Sequence, residues 1–359
     1  MKIKKKILIV ENLMHFWQVD DLYKIFSKKF DCDVILPKKF RHISKLKNNV
    51  ITSSLRYFMY IRVILIGKKY DYIYLCSSPE YPDYPNNFKN FIIYIQQLLI
   101  FLLLIVFYKK KIICYVRGLH RIFPEIHKNF LIKLFVNLRY QIFRYINYFA
   151  CENENLTNLF KKKFKKKNLK VSTIYTRYFD KKLIYKKKHN QILVIGILGG
   201  IDPLRKNYDL LYESLLNFKK KIKLVFLGKF DKKLSNVVIN NLNNFNIEFK
   251  KKTLNENDFL NLGKKCDILI SLNRKEKLYG SYKGTGSFGD AMYLTKPLIA
   301  PSFADPIKEF RDFTFYYKDS KELNFLIRKI LKRKTKLNPK FKKFEIEHCT
   351  KKIFQELNL

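Results

Sequence analysis

Twice along this chain, short apolar segments alternate with helical patterns, and that alternation limits the fold more than any other feature. In the first half KILIV (6–10), CDVIL (32–36), YDYIYLCSS (70–78), KIICYVRG (111–118), INYFACE (146–152) and VSTIY (171–175) read as strands. Helical patterns lie between them at 19–30, 56–67, 91–108 and 131–149. Strand and helix in alternation predict a parallel sheet covered on both faces. A charged, polar break, DKKLIYKKKHNQ (180–191), interrupts the pattern. It restarts with ILVIGIL (192–198), IKLVFLG (222–228), NIEFK (246–250), CDILISL (266–272), PLIAP (297–301) and TFYYK (314–318) as strands. Helices are expected at 207–218, 232–243, 255–265, 287–295 and 321–333. A length of 359 residues suits two domains. The expectation is an α/β protein with one domain over 1–183 and a second over 190–335. Residues 336–359 form a tail or helix that packs back on the first.

Composition narrows the class. The chain carries 73 Lys and Arg against 30 Asp and Glu, a formal charge of +43. Such a surface is drawn to polyanions: an anionic leaflet, nucleic acid or phosphorylated substrates. The lysines are spread through the whole chain and no nucleic-acid motif is present, so no specific nucleic acid is expected. The six cysteines form no CxxC or CxxH pair. That gives no support to a zinc site and suits reduced core thiols in a cytoplasmic setting. The opening MKIKKKILIVENLMHFW has too short an apolar run for a signal peptide, and Glu11 and Asn12 follow it. The run 91–108 approaches spanning length, but Gln96 and Gln97 interrupt it. It reads as a crossover helix between two strands, with a helix in the membrane interface as the alternative. The similarly apolar 131–149 is a core helix or a membrane-docking face.

Two loops carry chemistry. GTGSFG (284–289) has the G-x-G-x-x-G spacing of a dinucleotide site. That fingerprint requires a strand running directly into the glycines, in the first unit of its domain. Here the loop NRKEKLYGSYK separates CDILISL from Gly284. What survives is a glycine-lined helix start, whose free N–H groups and partial positive charge suit a phosphate. A plain N-cap at Ser287 would explain the same residues. At the start of the same domain, GILGGIDPLRKNYDLL (196–211) ends a strand at Gly199 and Gly200 and places Arg205 and Lys206 before a helix. Both loops follow strands, so both belong at the carboxyl edge of one sheet, where open α/β folds bind ligands. Together they make a site for a diphosphate.

Over about 192–320 the sequence resembles glycosyltransferases of the GT-B fold, nearest to family four. The likeness rests on GGIDPLRKNYDLL, on CDILISL, and on GDAMYLTKPLIAP (289–301), where the family reads Glu-Ala-Met and then Lys-Pro. The strand NIEFKKK lacks the family's glycine. The resemblance implies two Rossmann-like, doubly wound parallel-sheet domains facing a cleft, the second holding a nucleotide-diphosphate sugar. It implies Gly199, Gly200, Arg205, Lys206, Gly284, Gly286 and Ser287 as donor-binding residues, with Asp290 in place of the ribose-binding Glu. Glu276 resembles the first Glu of the family's paired-Glu loop, but fourteen residues separate it from Asp290 where the family has eight. His120, in YVRGLH, falls where family members carry a His near the sugar. Arg117 and Glu152 are candidates on the acceptor side.

The expected function is sugar transfer from a nucleotide-diphosphate sugar to a saccharide or lipid-linked acceptor in surface polysaccharide biosynthesis, with retention implied by the resemblance. His120 and Glu276 are the catalytic candidates. No metal and no further cofactor is expected. The basic surface and apolar helices suggest peripheral contact with an anionic membrane at its inner face. The alternatives are a non-catalytic GT-B-like nucleotide- or saccharide-binding protein, a nucleic-acid-binding protein, and an NAD(P)- or flavin-dependent protein.

Overall fold

The computed structural model describes residues 4–11, 16–38, 46, 49–53, 56–76, 88–109, 111–179, 192–230, 232–252, 254–332 and 339–359. The polar break expected at 180–191 lies outside the described residues. The chain forms two compact units, one of 1–175 with 346–359 and one of 176–345.

The N-terminal unit is a seven-stranded sheet. Its elements run β1 (Lys6–Val10), α1 (Phe16–Phe26), β2 (Asp31–Pro37), β3 (Val50–Ser53), α2 (Arg56–Ile66) and β4 (Tyr72–Leu75). Then come α3 (Phe88–Tyr108), β5 (Ile112–Val116), α4 (Phe130–Phe143), β6 (Tyr148–Cys151), α5 (Glu154–Lys163) and β7 (Lys170–Thr173). The strand order is β3-β2-β1-β4-β5-β6-β7 and every pair is parallel. Strands covered on both faces read as unbroken apolar runs. Accordingly Ile7, Leu8 and Ile9 of β1 and Ile112 to Val116 of β5 are fully buried. The 91–108 run is the crossover helix α3 between the paired strands β4 and β5. Among the described residues no helix is long and apolar enough to cross a membrane.

The C-terminal unit runs β8 (Leu193–Leu198), α6 (Tyr208–Leu215), β9 (Ile222–Leu227), α7 (Lys232–Asn241), β10 (Asn246–Glu248) and α8 (Glu256–Lys265). It continues through β11 (Ile268–Ile270), α9 (Ser287–Leu294), β12 (Leu298–Pro301), β13 (Thr314–Tyr317) and α10 (Ser320–Leu331). Its six parallel strands are ordered β10-β9-β8-β11-β12-β13. In each unit the first strand pairs with both the second and the fourth, so the order reverses beside β1 and beside β8. That reversal opens a crevice at the strand ends and is the usual ligand position. Helix α11 (Ile346–Leu357) belongs to the N-terminal unit. Its Ile353 and Leu357 are fully buried, and Glu356 accepts from Ser172 Oγ at 2.7 Å.

Candidate functional site

Beside β8 the chain must turn sharply without leaving the crevice. Gly199 does this in the left-handed region, at φ +78°, where a side chain is strained. The end of β9 lies against this turn, since a Cβ on Gly228 would overlap the Gly199 carbonyl. The loop that follows is tied to the end of β11. Asn207 N donates to Leu272 O at 2.8 Å, Arg274 N to Arg205 O at 3.1 Å, and Lys206 bridges Asn273 through the backbone. Asp202 closes the turn from inside, its Oδ1 accepting from Leu204 N at 2.9 Å.

This framework separates the two cations that the sequence treats as a pair. Arg205 is exposed and donates from Nη2 to the Tyr279 hydroxyl at 2.8 Å. Lys206 is 7% exposed, and its amine lies over Gly199, where a Cβ would come within 2.9 Å of Nζ. Among the described residues no acceptor bonds to that amine. Burial, and then the charge of Arg205, push its pKa down to about 7 against the weaker opposing pull of Asp290 and Asp202. A buried amine without an acceptor is costly unless something else satisfies it. At the same strand end Ser271 Oγ and Asn273 Nδ2 are buried and lack protein partners among the described residues.

The glycine loop completes this edge. Helices α4, α5, α6, α8 and α10 each start from an Asn or Asp whose side chain accepts a backbone N–H of the first turn. Helix α9 starts from Gly286, with no side-chain cap. Ser287 is therefore its first residue and not its cap; Ser287 N reaches Thr285 Oγ1 only at 3.4 Å. A Cβ built on Gly286 meets nothing within 4 Å, so open space lies before the helix. Gly284, two residues earlier, is buried. Gly289 packs tightly: its Cβ would overlap Thr176 Oγ1 and approach Arg177 N to 3.1 Å.

Asp290 lies in the first turn of α9. Its Oδ1 pairs with Arg177 Nε at 3.2 Å. Arg177 pairs also with Glu256 at 3.3 Å and lies 4.3 Å from the Tyr293 ring centroid. Burial pushes the Asp290 carboxyl above its ordinary value, while Arg177 and Lys206 pull it down and Glu256 pushes it up. Lys206 and Asp290 thus lie within electrostatic reach of one another. Glu276 stands apart: it is exposed in the turn Lys275–Lys277 and makes no hydrogen bond or ion pair among the described residues.

In the N-terminal unit, Arg117 follows β5 and reaches the crevice beside β1. Its Nη2 donates to Gln18 Oε1 at 2.7 Å and lies 3.4 Å from Cys76 O, just past β4. Glu11, just past β1, is fully buried. Burial and then Glu11 push the Cys76 thiol well up, with Arg117 opposing, so these groups share one neighbourhood. His120 lies in the turn Leu119–Arg121, its ring folded over Gly118, where a Cβ would come within 2.8 Å of Nδ1. Glu152 follows β6 and raises the Tyr115 hydroxyl, after burial. Sequence reasoning missed Arg177 and Glu11. Glu11 had a signal, a carboxylate directly after an apolar strand.

No family model and no curated protein matches the chain. Solved structures do. Anabaena Alr3699/HepE in complex with UDP-glucose superposes with a TM-score of 0.66 at 14% identity, covering 98% of this chain and 99% of that one. The lipopolysaccharide outer core galactosyltransferase WaaB gives 0.58 at 9%, covering 99% of each chain. A putative UDP-N-acetylglucosamine 2-epimerase from Listeria monocytogenes gives 0.57 at 11%, covering 97% and 94%. At such identities the likeness shows the fold: two Rossmann-like units of the GT-B class.

Proposed function

We propose that the chain is a glycosyltransferase that takes its sugar from a nucleoside-diphosphate sugar bound on the C-terminal unit. One observation carries the reading: Lys206, buried at the topological switch point, has no acceptor among the described residues and a pKa near neutrality. A diphosphate supplies the missing acceptor. The uncapped start of α9 adds backbone donors and a partial positive charge. Fold neighbours crystallised with UDP or UDP-glucose support the choice of ligand.

The barrier lies in breaking the bond between the anomeric carbon and the phosphate oxygen. Negative charge grows on the leaving diphosphate as that bond opens. Lys206, the Arg205 guanidinium and the N–H groups at Gly286 and Ser287 are placed before the reaction, so they stabilise that charge without reorganising. Gly199 and Gly200 leave room for the phosphates. Asp290, held through one oxygen by Arg177, offers its other oxygen to ribose hydroxyls. Glu276 is the candidate on the donor sugar. His120, Arg117 and Glu152 are the candidates on the acceptor side. The acceptor is a saccharide or lipid-linked saccharide of a surface polysaccharide, and the anomeric configuration is retained. The setting is the cytoplasm, at the inner face of the membrane.

The test is a thermal-shift screen against nucleoside diphosphates, nucleotide sugars and NAD(P), repeated on Lys206→Ala. Selective stabilisation by one diphosphate, lost in the variant, is expected. Stabilisation by NAD(P) alone would refute the reading. Binding without donor hydrolysis or transfer to any acceptor would make the chain a binding protein instead.

A further inference from the structure

In the N-terminal unit, helix α3 adjoins α2 on one side and α4 on another. The Tyr108 hydroxyl on α3 donates to the Ile64 carbonyl on α2 at 2.6 Å. Phe101 on α3 meets Phe143 on α4 with ring centroids 5.4 Å apart. Their inner sides are core, with Leu104, Val136 and Phe143 buried. A surface helix ordinarily turns charged and polar residues outward. These helices turn large apolar side chains outward as well, beside exposed Arg62, Gln96, Lys133, Asn137 and Gln141. On α3, Leu99, Leu103 and Phe107 follow at four-residue spacing; on α4, Phe130, Leu134 and Leu138 do the same. All six are between 46% and 74% exposed. Leu65 on α2 extends the pattern at 73%. Four-residue spacing keeps each triplet on one helix face. A single exposed leucine needs no explanation, but a run of them across adjoining helices marks an interaction surface.

Charge decides what covers it. Helices α2, α3 and α4 contain no Asp or Glu. Lys133 lies on α4, and Lys68, Lys69, Lys109, Lys128 and Arg144 flank the helix ends; all six are exposed. A second copy docked on this face would bring like charges together in a dry contact, where their repulsion is strongest. An anionic leaflet takes both features. Apolar side chains enter the acyl boundary while Lys and Arg stay among the headgroups. We propose that the outward faces of α3 and α4, with the end of α2, form a lipid-insertion surface that seats the N-terminal unit on an anionic bilayer leaflet. This deepens the inner-face setting proposed above, and it rests on residues separate from the donor site.

The test sediments the full chain with vesicles of phosphatidylcholine alone and of an equal mixture with phosphatidylglycerol. The mixed vesicles should bind at least about tenfold more tightly. The double substitution Leu103→Glu with Leu134→Glu should lower that binding by at least about tenfold. Both side chains are exposed, so the fold should persist. Circular dichroism reports the fold and UDP-induced stabilisation reports the donor site, so failure of the donor reading would leave the vesicle result standing. If that variant misfolds, Leu99→Ser with Leu138→Ser is read in its place. Wild-type protein that stays in solution, or a folded variant that sediments like wild type, overturns the proposal. So does a dimer that these substitutions dissociate while vesicles bind neither form.

Discussion

Lys206 concentrates the conflict between stability and function at one side chain. Its pKa of about 7 when folded lies below the 10.5 of an ordinary lysine. Between those values the folded state holds fewer protons than the unfolded state, so this group makes stability rise with pH. Its destabilising effect is full below pH 7 and gone above about pH 10.5. Lys206→Met should therefore raise the Tm of the unliganded protein by at least about 2 °C near pH 6, with the gain shrinking toward pH 10. The same variant should lose about 10–100-fold in UDP affinity, the scale of a charge-assisted hydrogen bond. Calorimetry with and without UDP checks both. A variant that is less stable at pH 6 would show that the amine has a partner the fold depends on.

The ligand acts on the same titration. A bound diphosphate favours the ammonium form and lifts its pKa. Above about pH 6.5, where the terminal phosphate of UDP is mostly ionised, UDP affinity should change little up to pH 7 and then fall by up to about tenfold per pH unit. Titration calorimetry at pH 8 in buffers of different ionisation enthalpy should show uptake of nearly one proton. No uptake would mean that Lys206 does not contact the diphosphate.

At the scale of elements, α9 offers a contrast between two glycines three residues apart. Gly286 has φ −61° and open space where a Cβ would stand. Gly286→Ala should leave unliganded stability unchanged or raise it by up to about 1 kcal/mol. Its methyl would stand where phosphate approaches, and UDP affinity should drop about tenfold. Gly289→Ala drives a methyl into Thr176 and should cost about 1–3 kcal/mol. Paired melts with and without UDP separate the outcomes. If Gly286→Ala binds UDP like wild type, the start of α9 is not the phosphate site.

Much of the architecture was legible at this scale. KILIV is β1 to the residue, and the apolar runs 111–118, 192–198 and 222–228 each contain a strand. Periodicity and punctuation suffice for buried parallel strands. Strand β3 went unread, because VITS is four residues long in a polar stretch. The glycine loops were legible too, since turn chemistry is local. The difference between Arg205 and Lys206 was not: adjacent cations read alike, and only the clasp of 272–274 buries one of them. Nor was Arg177, whose partners Glu256 and Asp290 lie far along the chain. Long-range ion pairs leave no periodic trace in sequence.

For the whole molecule, the last helix joins the chain's end to its beginning. Helix α11 follows the C-terminal unit in sequence yet packs with the N-terminal one. Phe354 meets the rings of Phe26 and Phe30 at 6.1 and 6.0 Å. Lys352 pairs with Glu154 across the same contact. Ile353 is fully buried there, so Ile353→Ala should cost about 2–5 kcal/mol. The cost should fall on one unit. Hydrogen exchange should show lost protection in α1 and β7, while β8, β9 and β11 keep theirs. UDP should still stabilise the variant, because the proposed donor residues all lie in the other unit. Equal loss of protection in β8 would show that the two units share one cooperative transition and that α11 stabilises the chain as a whole.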